Sequence, residues 1–318
     1  MKILVSTKNL SREEWLKKRN DGIGGSEAPA VAGVSRWKTP LQVWLEKTGV
    51  VPPASAQSEA AYWGTRLEDI IAEEFARRTG MRVERLEEML QHPEYPFMIA
   101  NIDRIILDEA GRATAILECK TAGEFRRHEW EDGRVPDEYI VQVQHYLAVT
   151  GLKKAYVAAL IGGQHFVIRE IERDDELIDY LIRIEADFWR LVESRTPPPI
   201  DGSDAAAELL KKLYPEAKAG SAIDLPTEAE ALIRQWREAK AEEEAAAARR
   251  QEAENKLKAL LEDKEVGLLG GKPVVTWKNF TRKTIDSKRL KKDYPDIYDQ
   301  YAKESTYRQF KILIDEEE

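Results

Sequence analysis

Along residues 99–120 the apolar and polar positions fall as they do in two strands joined by a turn. Residues 99–107 are rich in isoleucine, 108–111 read Asp-Glu-Ala-Gly, and 112–120 form the second run. Glu118 and Lys120 share one strand face, and Leu117 and Cys119 share the other. With the turn centred near Glu109 and Ala110, antiparallel pairing sets Asp103 opposite residues 116–118. A helical period predicts a helix over 65–78, with Leu67, Ile70, Ile71 and Phe75 as its stripe and Gly80 as its stop. It predicts another over 139–150, with Ile140, Val143 and Leu147 inward, and a third over 174–195. Ser11 and Glu14 form a capping box, and Leu41, Trp44 and Leu45 mark a short core helix. Residues 50–59 read as a loop, 81–90 as a strand with interrupted alternation, and 154–161 with 165–171 as a hairpin around Gly162 and Gly163. Residues 121–139 read as a mobile polar loop in which Arg126, Arg127 and His128 could touch a polyanion, and 1–10 give no pattern.

The prolines at 197–199 end this region, so a first domain over 1–200 is followed by a different one over 201–318. Residues 227–263 are dominated by Glu, Ala, Lys and Arg and predict one long helix. A hairpin over 266–280, a helix over 287–303 and a closing strand over 307–314 complete the chain. The fold class is mixed α/β: a central mixed sheet flanked by helices, extended by a helical arm and a small hairpin.

Composition narrows the setting. The chain has 318 residues, 42% of them hydrophobic, and no apolar run long enough to span a membrane. Its first ten residues are too polar for a signal peptide. The single cysteine, Cys119, excludes an internal disulfide framework and any four-cysteine metal site, and a reduced cytoplasm fits. The net charge of −9 argues against a nucleic-acid binder only in total. Residues 272–292 hold eight basic side chains against one acid, Asp286, with Trp277 and Phe280 between them. That mixture suits a nucleic-acid backbone and its bases as well as it suits a solvated hairpin.

Two carboxylates and a lysine among isoleucines are costly unless something uses them. Asp103 and Glu118 would serve a hard divalent cation, and Lys120 could steady developing negative charge or help deprotonate a water. Glu68 lies at the edge of its helix stripe, as a third acid or as a solvated carboxylate. Gln142 and Tyr146 are four apart and share a helix side, where a glutamine can orient a water or a phosphate oxygen. Gly22, Gly24 and Gly25 allow a tight turn with exposed amides, Ser26 could cap the next helix and offer a phosphate site, and Arg19 lies near enough to join it. Taken alone, a plain connection between helices is the better reading of that glycine segment.

Asp103, followed fifteen residues on by Glu118-Cys119-Lys120, resembles the D…(D/E)xK signature of restriction-endonuclease-like nucleases. The helix carrying Glu68 and the VQVQHY of residues 141–146 resemble lambda-type phage exonucleases. GIGGSEAPAVAG at 22–33 and WGTRLEDIIAEEF at 63–75 are similar to motifs of the YqaJ-type viral recombinase family, and 283–301 to a tail found in it. The resemblance implies a restriction-endonuclease-like core. It implies Glu68, Asp103, Glu118 and the Cys119 backbone carbonyl as ligands of Mg²⁺, with Mn²⁺ able to substitute. Lys120 and Gln142 would be catalytic, Tyr139 a neighbouring active-site group on the DNA, and Arg19 and Ser26 the holders of a 5′-phosphate. Asn101 departs from the serine expected two positions before the aspartate. The implied activity is 5′-to-3′ degradation of duplex DNA ends, leaving 3′ single strands for phage-type recombination. A single-strand annealing protein, a ring-shaped homotrimer and a phage or prophage origin in a bacterial cytoplasm come with it. A single-strand or RecB-like nuclease, and a DNA-binding accessory module with a vestigial site, are the alternatives.

Overall fold

The structure, a computed structural model, describes residues 2–51, 58–303 and 307–313. By contact the chain forms two compact units, Met1–Leu213 and Tyr214–Glu318. In the first, β1 (Lys2–Ser6) leads to α1 (Arg12–Arg19), where Ser11 and Glu14 cap each other as predicted. β2 (Ile23–Gly24), α2 (Ala28–Val31) and α3 (Pro40–Lys47) follow. α4 (Glu59–Thr79) starts earlier than predicted because Ser58 caps it, and it ends at Gly80 in the left-handed region. Then come β3 (Arg82–Arg85), β4 (Glu88–Gln91), β5 (Met98–Asn101), β6 (Arg104–Leu107) and β7 (Ala113–Ala122). A 3-10 helix (Glu124–Trp130), α5 (Asp137–Thr150), β8 (Lys154–Ile161), β9 (His165–Glu172), α6 (Asp175–Glu193) and α7 (Asp204–Leu213) complete the unit.

Among the described residues these strands make two sheets, ordered β1-β4-β5-β2 and β3-β6-β7-β8-β9. β7 and β8 are parallel, which requires a crossover, and α5 lies within it. The predicted mixed α/β architecture is present. Alternation along β7 assigns its faces. Leu117 packs with Ile106, Tyr156 and Ala158 against Ile71, Ala72 and Phe75 of α4. Ile116 packs with Ala155 and Val157 against Val143 and Leu147 of α5. Ile70, predicted in the α4 stripe, is exposed.

Residues 81–90 and 99–107 were each expected to be one strand. Both bend and divide between the sheets. β3 pairs with β6 in one, β4 with β5 in the other, and the register shifts by one residue across the bend. Three residues, 86–88, span what 102–103 span opposite them, a bulge that re-aims side chains at the bend. Residues 121–139 are also more ordered than expected. β7 runs on to Ala122, Trp130 is buried, and Arg126 is bound to Glu129 and Glu138. The first unit extends past the prolines because Ala206 and Leu209 of α7 are buried, Leu209 in the cluster of Trp44, Phe188 and Val192.

The second unit holds α8 (Glu228–Leu261), the hairpin β10 (Val266–Leu269) and β11 (Lys272–Thr276), α9 (Ser287–Asp293) and α10 (Pro295–Tyr301). The helix predicted over 287–303 is two, because Pro295 cannot continue α9. Residues 307–313 form no strand, and Ile314 lies outside the described residues, as does most of the 50–59 loop.

The glycines before α2 are buried rather than offering exposed amides. A Cβ on Gly22 would stand 2.7 Å from the Phe97 carbonyl oxygen, and one on Gly25 would overlap the Tyr146 ring. Gly64, inside α4, meets nothing closer than Thr121 Oγ1 at 3.7 Å. Urea unfolding should therefore separate the two: G25A loses about 1–3 kcal/mol by overpacking, whereas G64A gains about 0.5–1 kcal/mol from helix propensity.

Candidate active site

Asp103 occupies the bend between β5 and β6, one residue beyond the Arg104–Leu117 pair, so the register brings it across from Glu118. Its Oδ2 accepts the Cys119 backbone N–H at 2.9 Å. In a strand the N–H and C=O of one residue point to the same edge, so the Cys119 carbonyl faces the gap beside Asp103. Glu118 and Lys120 project from the other face of β7 toward α5. There Lys120 Nζ lies 2.6 Å from Glu118 Oε1 and donates to Gln142 Oε1 at 3.0 Å. Gln142 Nε2 donates to Glu118 Oε1 at 2.6 Å and to the Tyr146 hydroxyl at 3.1 Å. The Tyr139 ring covers the ammonium, 4.9 Å from ring centre to Nζ.

Glu68 reaches the same space from α4, where its Oε1 accepts from Arg104 at 2.6 Å. Arg104 also binds Asp69 and the Asp103 carbonyl. Arg19, which lines the same cavity, donates to Ser26 Oγ at 2.8 Å and stacks on Trp15. Ser26 does not cap α2, whose N-cap is Glu27 without a side-chain bond. All nine predicted residues line one cavity of about 770 Å³: Arg19, Ser26, Glu68, Asp103, Glu118, Cys119, Lys120, Tyr139 and Gln142.

The electrostatics are uneven. Burial, then the Glu118 and Glu68 carboxylates, push Asp103 well above the usual range. Burial opposes charge on Lys120, but Glu118 and Asp103 outweigh it and hold the amine protonated. Burial pushes the Cys119 thiol up as well, so that side chain stays neutral. Glu118 Oε2 is buried and has no hydrogen-bond partner. Among the described residues no three acid, histidine or cysteine side chains stand ready as a metal cage, Glu68 being turned onto Arg104. The donor set nevertheless suits a hard cation: an orphaned carboxylate oxygen, a second acid in reach and a main-chain carbonyl.

Residues 14–153 match the YqaJ-like viral recombinase domain. The protein YqaJ of Bacillus subtilis (strain 168) is 46% identical over 313 residues, 98% of this chain and 97% of its own. The chain belongs to the YqaJ-like viral recombinase family. Among solved structures, this family member is similar to the alkaline exonuclease LHK-Exo of Laribacter hongkongensis, at 20% identity and a TM-score of 0.48 over 63% of this chain and 97% of that one. The complex of LHK-Exo with dAMP gives 21% and 0.49 over the same shares. No helix among the described residues of this YqaJ-family chain is long and apolar enough to cross a membrane.

Two groups escaped the sequence reading. Arg104 follows Asp103 directly, and its charge in an apolar run was the available signal. Glu27 and Lys47 had none. They meet at 2.8 Å with both side chains buried, while Glu27 Oε2 also accepts the Gly24 N–H at 2.9 Å. Burial works against ionising Glu27, yet Arg19, Lys47 and Lys38 together overcome it and hold the carboxyl at about 2. A depressed acid contributes stability above its unfolded value, lost as pH falls toward about 2. K47M leaves that carboxylate without its nearest partner and should cost about 3–5 kcal/mol near neutrality. Urea melts of both proteins at several pH values should show the difference narrowing as pH falls below the ordinary glutamate range.

Proposed function

We propose that this chain is a Mg²⁺-dependent exonuclease that degrades duplex DNA from 5′ ends and leaves a 3′ single strand for recombination. The observation that carries the reading is the Glu118 carboxylate. One oxygen is fixed by Lys120 and Gln142, the other is buried and unpartnered, and the carboxylate's charge is felt at Asp103. One ammonium, Lys120, faces two neighbouring acids, Asp103 and Glu118, which leaves an excess carboxylate charge that a cation or a proton would offset. We favour the cation, because a divalent ion at this donor set would neutralise the phosphate that these acids otherwise repel.

Glu118, Asp103 and the Cys119 carbonyl would hold Mg²⁺ or Mn²⁺, and Glu68 would join by leaving Arg104. A bound divalent ion supplies polarisation of the phosphoryl oxygen and a water of lowered pKa. Lys120, kept as an ammonium, offsets negative charge developing on the phosphate and is a poor base in that state. Gln142 fixes the lysine and Glu118 at one distance from each other, and the Tyr139 ring limits the directions open to the amine. Arg19 and Ser26, in the same cavity, would supply cationic and hydroxyl donors for a terminal phosphate, which would set the direction of travel. The 3′ strand left behind is the substrate an annealing protein would take in the bacterial cytoplasm.

End-labelled linear duplex with Mg²⁺ tests this. K120A should slow degradation by about 10²–10³-fold, and E118Q should abolish it, with circular dichroism showing both variants still folded at the assay temperature. R19A should erase a preference for 5′-phosphate over 5′-hydroxyl ends. Full Mg²⁺-dependent cutting by E118Q would remove the assignment.

A further inference from the structure

Residues 277–286, between β11 and α9, have no regular hydrogen-bonded structure but are fixed at both ends. The Trp277 N–H donates to the Glu265 carbonyl at 2.9 Å, closing the hairpin, and the Asp286 carboxylate caps α9. All eight basic residues of this region are exposed: Lys272, Lys278, Arg282, Lys283 and four on α9. Among the described residues only Arg289 has an ion pair, with Asp293. Ordinary solvated surface mixes the two signs, so a run of one sign this dense repels itself until an anion arrives. Between the charges stand Trp277, 51% exposed, and Phe280, 89% exposed. Large aromatic faces held in water beside unpaired cations have one abundant complement: a polyanion whose own rings are free.

We infer that this strap binds single-stranded DNA, with Lys278, Arg282 and Lys283 on phosphates and Trp277 and Phe280 stacked on bases. A duplex satisfies the charges but hides its base faces, so the aromatics select the single strand. As the retained product of digestion, that strand rests on the exonuclease reading; the binding itself does not.

The test uses the full-length protein in EDTA, where nothing is cut. Anisotropy of a labelled oligo-dT and of a duplex of equal length is measured over a salt series. K278E/R282E/K283E should weaken oligo-dT binding at least about tenfold and lower the salt slope by about 2. W277A/F280A should weaken it by at least about tenfold, with duplex affinity changed less than about threefold and unfolding of both variants as in the parent. Unchanged oligo-dT affinity in the two variants would overturn the proposal, as would equal losses on single strand and duplex in W277A/F280A. Failure of the parent to digest DNA would sink the exonuclease reading and leave this binding result standing.

Discussion

A single hydrogen bond, from the Cys119 N–H to the Asp103 carboxylate, closes the place where two sheets part. The ribbon of β3–β4 and β5–β6 bends there, and β6 begins only at Arg104. β7 runs on past that point, so its edge loses a main-chain partner just where Cys119 needs one. Asp103 fills the vacancy with a side chain. Its position is therefore set by backbone satisfaction, an accounting that folded chains seldom leave open. Once that acid is fixed, the rest follows from geometry. Strand alternation delivers Glu118 and Lys120 to the α5 face, and the parallel crossover delivers Gln142 above them.

The cavity has walls of unlike character. On the sheet side, acids outnumber cations, and the one arginine that could neutralise them, Arg104, is shared with Glu68 and Asp69. On the glycine side, Glu27 is buried between Arg19 and Lys47, so its charge is spent inward and the arginine still faces the cavity. One part of the cavity therefore offers donors to an anion, and the other presents carboxylates that repel one.

Much of this was legible in the chain. The strand carrying Glu118 and Lys120, the helices on either side of it and the hairpin after α5 were readable because period-2 and period-3.6 patterns are local. Gly80 and Gly151 ended their helices as their left-handed geometry requires. What escaped was non-local. Nothing in residues 99–107 announced a change of sheet, since the two halves are equally apolar and only their partners differ. The glycines read as an open turn because a sequence does not say what presses on them, and the answers, Phe97 for Gly22 and Tyr146 for Gly25, lie far along the chain. Residues 121–139 read as a loop because a composition this polar does not show that Arg126 joins Glu129 to Glu138, or that Trp130 is buried.

The proline run at 197–199 resembles a seam, yet it is a strap that carries α7 back over Trp44, Phe188 and Val192. Leu209 completes that apolar hollow, and Leu213 lies against its rim. A fragment cut at the prolines would expose a sticky edge where the intact chain has a sealed one. Such a fragment would tend to associate with itself through a surface the whole protein never shows.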